Sequence, residues 1–135
     1  MEALEEYTTI LQEVSNICMQ SATQHIILAG DWNADITRND ARTRLFNKFI
    51  SNENLINSLE LGIANIPYTF ENTRVNPVTF STLDHFLISL NLTNVVLKYD
   101  TIFSHNNFSD HFPIMLSIKA DTEHLSSTKK YINHV

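Results

Sequence analysis

A single cysteine, Cys18, stands in 135 residues. No intrachain disulfide and no thiolate zinc centre can therefore be built. Basic residues are also scarce: 9 Lys and Arg stand against 15 Asp and Glu, for a formal net charge of −6. That balance is a poor footprint for gripping nucleic acid by bulk electrostatics, although it leaves room for a local basic patch around an acidic site. No run approaches the roughly 20 apolar residues of a membrane span, so no membrane partner is expected. The opening "MEALEEYTTI" is acidic where a secretory signal is basic. An intracellular protein is the expectation, and the sequons Asn91-Leu92-Thr93 and Asn107-Phe108-Ser109 read as chance matches. Repeats and low-complexity runs are lacking too.

What remains is a chain with 43% hydrophobic and 18% charged residues, long enough for one domain with a real core and too short for a second. Residues 2 to 20 carry Leu4, Tyr7, Leu11, Val14 and Cys18 at spacings of three and four, with Ile10 and Ile17 beside them. This is a helix stripe, with Glu2, Glu5 and Glu6 near the positive end of its dipole. Residues 25 to 29 read as a strand too apolar on both faces to be a half-exposed edge. A polar loop and a second helix follow, with Leu45, Phe46, Phe49 and Ile50 on one side. Pro67 and Pro77 make residues 55 to 80 read as irregular. "STLDHFLIS", "NVVLKYDTIF" and "SDHFPIMLSIK" are three further strands, the last with Pro113 near its start, where a missing donor is tolerated. In the first, Asp84, Phe86 and Ile88 share one face and Leu83, His85 and Leu87 the other. From Asp121 the chain turns polar, as a tail or linker does. The pattern implies an α/β fold with a mixed, mostly antiparallel sheet and flanking helices.

Three places set polar groups against these apolar strands: Asp31 and Asn33 after "IILAG", Asp84 inside "STLDHFLIS", and Asp110 with His111 before "FPIML". Burying a carboxylate is costly unless it is paired, hydrogen-bonded or bound to metal, and strand ends on one sheet edge can converge. Two acids and an amide can hold a divalent metal and a phosphate oxygen, since Mg²⁺ prefers hard oxygen ligands. A histidine beside an aspartate can orient or deprotonate water. In an extended segment Asp31 and Asn33 point the same way and Trp32 the other, to pack. The plainer readings are turn-closing for Asp31 and Asn33, ordinary burial for His85, packing for Tyr68 and Phe70, and a solvated face for Arg38, Arg42, Arg44 and Lys48. His105 and His111 lack a cysteine or third histidine nearby for zinc.

"GDWN", "STLDHFLIS" and "SDHFPI" occur in the order of the three C-terminal motifs of the endonuclease/exonuclease/phosphatase superfamily, and the chain resembles it. "STLDHF" with the preceding "IPYTFEN" is most similar to the apurinic-type endonuclease domains of non-LTR retrotransposons. The resemblance implies the C-terminal part of a DNase I-like four-layer α/β sandwich over residues 1–119, with 120–135 a polar tail. By that resemblance Asp31 positions or activates the nucleophilic water, and Asn33 contacts the scissile phosphate. Asp110 binds metal and His111 is the catalytic histidine, also touching substrate. Asp84 fixes the tautomer of His111, and Ser109 supports the loop. The implied cofactor is Mg²⁺ or Mn²⁺, the implied partner DNA and the implied location the nucleus.

The same resemblance implies what is not there. The family's strand bearing an Asn, its strand bearing the principal metal-binding Glu, and its Tyr or His segment have no counterpart before residue 25. Glu2, Glu5, Glu6 and Glu13 lie on a helix and read as solvated. The chain is therefore expected to be a fragment, inactive alone, with a sheet face uncovered for self-association. A non-catalytic relic of the fold and a lipid or inositol phosphate phosphatase of the superfamily are the alternatives.

Overall fold

In the computed structural model, residues 2–62, 64–65 and 68–120 are described. The tail expected from residue 121 onward, and Pro67, lie outside them. The order is α1 (Glu2–Gln20), β1 (Ile27–Asp31), α2 (Ala41–Asn52), β2 (Leu55–Asn57), β3 (Ala64–Asn65), β4 (Phe70–Asn72), β5 (Thr79–Ser81), β6 (Asp84–Ser89), β7 (Val96–Thr101) and β8 (Ile114–Ile118). One sheet runs β1-β6-β2, a second β3-β7-β8, and β4 pairs with β5 as a hairpin. All pairs are antiparallel except β3 with β7. This is the mixed, mostly antiparallel α/β architecture the sequence implies.

The helices follow from local chemistry. Asp40 caps α2, its carboxylate accepting Thr43 N–H at 2.8 Å. That bond, the first cause, holds the Asp40 carboxyl below its ordinary pKa. The stripes of α1 and α2 then close over one face of the first sheet, giving a core of Tyr7, Leu11, Ala34, Phe46, Phe49, Leu55 and Leu87. Ile10 and Ile17 do not join it; they are 47% and 65% exposed, because they sit to one side of the Tyr7–Leu11 stripe.

Three expectations are corrected. Residues 55–80 are not irregular: they hold β2, β3, β4 and β5, strands of two or three residues that are too short to leave a periodic trace. The apolar strand after α1 is not central. Among the described residues β1 is paired on one side only, with four of its five residues exposed. The sheet face expected to be uncovered is covered in part. Tyr99 of β7, itself fully buried, packs edge-on against Phe86 of β6 with ring centroids 5.5 Å apart. Ile88 beside it is 1% exposed. The second sheet thus covers the β6 part of the face, while Ile27 of β1, on the same face, is 41% exposed.

Candidate active site

β1 ends at Asp31, and the chain turns there. Asp31 Oδ1 accepts Asn33 N–H at 2.8 Å, and Asn33 sits at φ 50°. Asparagine tolerates this left-handed conformation because its short side chain bonds locally. The extended geometry expected to deliver both side chains together is replaced by this turn. Trp32 does turn away: its ring lies 5.2 Å from Phe46 and 5.7 Å from Phe49, and Nε1 donates to His85 O at 3.2 Å.

Asp31 and Asp84 are cross-strand partners in the β1–β6 register. Two carboxylates opposite each other on one face repel. His111 stands between them, with Nδ1 2.8 Å from Asp84 Oδ2 and Nε2 3.7 Å from Asp31 Oδ2. Burial alone would lower the His111 pKa. The hydrogen bond to Asp84 and the charges of Asp84, Asp31 and Asp110 outweigh it and raise the value above the ordinary 6.5. With Asp84 accepting from Nδ1–H, Nε2 is left facing Asp31.

The β4–β5 hairpin holds His111 in place. His111 forms a bridge with Phe70, flanked by Glu71 N–H to Asp110 O at 2.9 Å and Phe112 N–H to Thr69 O at 2.8 Å. The Phe70 ring lies 4.9 Å from the imidazole. Ser109 Oγ accepts His111 N–H at 3.1 Å, and Asn107 Nδ2 donates to His111 O at 2.8 Å. Asp31, Asp84, His111 and Ser109 are thus brought together, with Asn33 one turn away. Asp110 is not part of the acid–histidine cluster. Its main chain joins the bridge, its side chain is exposed, and it acts on His111 only through its charge.

Three positioning residues escaped the sequence reading. Thr69, fully buried, accepts Leu83 N–H at 2.9 Å and Asp84 N–H at 3.1 Å through Oγ1. It therefore fixes Asp84 as well as the His111 segment; its position within "IPYTFEN" was the available signal. Asn107 was set aside with its sequon. Asp35 is 6% exposed and accepts Thr37 N–H at 2.9 Å, Thr37 Oγ1 at 2.6 Å and Thr82 N–H at 3.0 Å. Burial would raise its pKa, but these bonds and Arg38, 3.9 Å away, hold it below 3.8. Asp35 so ties the loop after β1 to the entry of β6.

Of the basic residues, Arg38 also bonds Ser81, Arg42 lies over the Tyr7 ring at 5.1 Å, and Arg44 donates to Asn39 O at 3.0 Å. Arg38 and Arg42 line a cleft of about 480 Å³ together with Asn33, Phe70 and Asn72. Tyr68 packs as expected, against Phe80, Phe103 and Phe112 at 4.5–5.6 Å. His85 is fully buried between Asn57 Nδ2 at 3.1 Å and Ala34 O at 2.7 Å. An amide donor on Nδ1 makes it the neutral Nε2–H tautomer.

One ligand atom from each of Asp31, Asp84 and His111 lies within 4.8 Å of the others, the metal-ligand type cluster found among the described residues. With Nδ1 taken by Asp84, Asp31 is its free carboxylate. That donor set fits a hydrated divalent ion held by few protein ligands rather than a closed protein cage.

The sequence signature of the endonuclease-reverse transcriptase family matches residues 2–115. The chain belongs to this family and has the DNase I-like fold of the endonuclease/exonuclease/phosphatase superfamily. Among solved structures it is similar to an AP endonuclease from Leishmania major: 20% identity, TM-score 0.59, covering 70% of this chain and 35% of that one. It is also similar to an endonuclease/exonuclease/phosphatase family protein from Leptotrichia buccalis: 21% identity, TM-score 0.58, covering 82% and 42%. The chain spans less than half the length of either. No curated protein matches it. Among the described residues no helix is long and apolar enough to cross a membrane.

Proposed function

We propose that this chain is part of a retrotransposon-type DNA endonuclease domain that hydrolyses phosphodiester bonds with a divalent metal, Mg²⁺ or Mn²⁺. The observation that carries the reading is His111 held between Asp84 and Asp31, on motifs that stand in family order. Residues 1–119 would form the partial domain and 120–135 its tail, and the nucleus is where such an activity meets its substrate.

In this reading Asp84 holds Nδ1–H and so directs Nε2 of His111 at the phosphate. The raised pKa keeps the ring cationic to higher pH, where it opposes charge developing on the phosphoryl oxygens. Asp31 takes the proton of the attacking water, and Asn33 and Ser109 keep the phosphate contact and the His111 loop in place. The exposed Asp110 would hold the metal, which when bound would supply charge neutralisation.

One free carboxylate in the cluster is a weak metal site, so the isolated chain is proposed to be inactive. Plasmid nicking in Mg²⁺ that His111→Ala abolishes would overturn this. The substrate class is tested by NMR titration with a short duplex holding an abasic analogue, against an inositol phosphate. Shifts at Asn33 and His111 with DNA support the endonuclease reading. Shifts with the phosphomonoester alone replace it with the phosphatase one. Silence with both leaves the non-catalytic relic.

A further inference from the structure

We propose that Arg38 and Arg42 form a seat for a phosphate flanking the scissile one. A nucleic-acid strand leaving His111 then runs along the cleft between the loop after β1, the start of α2 and the β4–β5 hairpin. This rests on the endonuclease reading and gives the strand its path.

The hairpin supplies one wall by alternation. Phe70 and Asn72 of β4, with their cross-strand partners Ser81 and Thr79 of β5, line the cleft. Phe80 lies on the other face, with its ring 4.5 Å from that of Tyr68. The wall is therefore an amide and two hydroxyls around one ring, with the aromatic cluster kept behind it. Phe70 and Asn33 belong to the cleft and to the candidate site alike. The Phe70 ring lies 4.9 Å from the His111 imidazole, and Asn33 closes the turn at Asp31. A strand with one phosphate at His111 that continues past Phe70 and Asn33 enters this cleft.

Two of the chain's four arginines stand here, and neither is a freely solvated charge. Arg38 reaches across to the hairpin. Its Nη2 donates to Ser81 Oγ and its Nε lies 3.9 Å from Asp35 Oδ2, yet its side chain is 51% exposed. Arg42 lies 5.1 Å over the Tyr7 ring, and the Tyr7 hydroxyl donates to Trp32 O at 2.9 Å, next to Asn33. A guanidinium stacked by its face keeps its N–H edge for a phosphate. Both forks are thus held in place before a ligand arrives.

The two acids that line the cleft bond the main chain. Asp35 accepts Thr37 and Thr82 N–H, and Asp40 accepts Thr43 N–H. What the cleft offers is two cations among neutral hydrogen-bonding groups, in a chain whose net charge is −6. Such a chain holds phosphates by preset forks at fixed places, and not by bulk charge. Arg44, exposed on the same helix, donates to Asn39 O and lies outside the cleft lining.

The test titrates the 135-residue chain with the short abasic-analogue duplex at several salt concentrations, as wild type, Arg42→Gln, Arg38→Gln and Arg44→Gln. In wild type the Nε–H signals of Arg38 and Arg42 should shift together with Asn33 and His111, a readout that needs no variant to fold. Arg42→Gln should weaken binding and flatten the slope of log affinity against log salt by about 1. Arg38→Gln should do the same, with circular dichroism checking that its fold is kept. Arg44→Gln removes the same charge outside the cleft and should leave the slope almost unchanged. Equal flattening by Arg42→Gln and Arg44→Gln overturns the proposal, because general charge then accounts for binding. Shifts at Asn33 and His111 without shifts at either arginine overturn it too, and leave the endonuclease reading standing. Arginine shifts with none at His111 keep the strand in the cleft and remove that reading instead. An inositol phosphate that shifts the arginines as strongly as the duplex overturns the strand assignment, and silence at every one of these residues overturns both.

Discussion

His85 and His111 stand on opposite faces of the same sheet, and they carry opposite chemistry. His85 is sealed on the helix side between an amide and a carbonyl, and burial, the largest cause, pushes its pKa below 6.5. His111 is 31% exposed on the other side. Burial pulls its pKa the same way, yet carboxylates on three sides win and push it above 6.5. Depth sets the direction at His85, and neighbouring carboxylates set it at His111. The face packed on helices stores stability; the face beside the β1 edge gathers charge.

The sharpest way to break that division is in the core. Phe46 is fully buried, with its ring 5.2 Å from Trp32 and 5.4 Å from His85. Phe46→Ala should cost about 3–5 kcal/mol in chemical denaturation, because it opens a cavity under both the helices and β6. A loss below about 1 kcal/mol would mean the helix side is not the stabilising one.

The two histidines themselves give the next test. His85→Ala strips Ala34 O and Asn57 Nδ2 of their partner, at about 1–3 kcal/mol for each buried group left unpaired. His111→Ala at the solvent side should shift stability by no more than about 1 kcal/mol. Equal losses in the two variants, read from urea midpoints, would erase the distinction between the faces.

Asp35 bridges the two regions, so it should show a mixed effect. Asp35→Asn sets an amide against the N–H donors of Thr37 and Thr82, at about 1–2 kcal/mol. Its folded pKa is depressed, so the wild-type contribution is present above 3.8 and is lost as pH falls through the folded value. Acid unfolding followed by circular dichroism should therefore fall more steeply in wild type than in the variant. Parallel acid limbs would show that Asp35 carries no such linkage.

How much of this could be read from the residues varies with the length scale of the signal. α1, α2 and β6 announced themselves by period, and the "GDWN", "STLDHFLIS" and "SDHFPI" motifs placed Asp31, Asp84 and His111 in one cluster before any coordinate. The tight turn at Asn33 escaped, because side-chain alternation holds only while the backbone stays extended. β2 and β3 escaped because each is fixed by pairing distant in sequence, with β6 and β7, and β4 and β5 because three residues leave no periodic trace. The edge position of β1 was illegible for a different reason. Its composition reports the environment the strand is suited to, and among the described residues only β6 pairs with it.

The finest contrast between the faces is a matter of charge alone. Asp84→Asn keeps the size of the group that bonds His111 Nδ1 and removes its charge, so the imidazole should titrate lower than in wild type by NMR. The sign of the stability effect follows. A folded pKa raised above 6.5 contributes stability that is fully present below 6.5 and is lost as pH rises through the folded value. The stability gap between wild type and Asp84→Asn should thus be widest in mild acid and narrow toward alkaline pH. The same substitution leaves His85, on the sheltered face, with its low titration, since burial is the first cause there. An unchanged His111 midpoint in Asp84→Asn would locate the charge on that face in Asp31 and Asp110 instead.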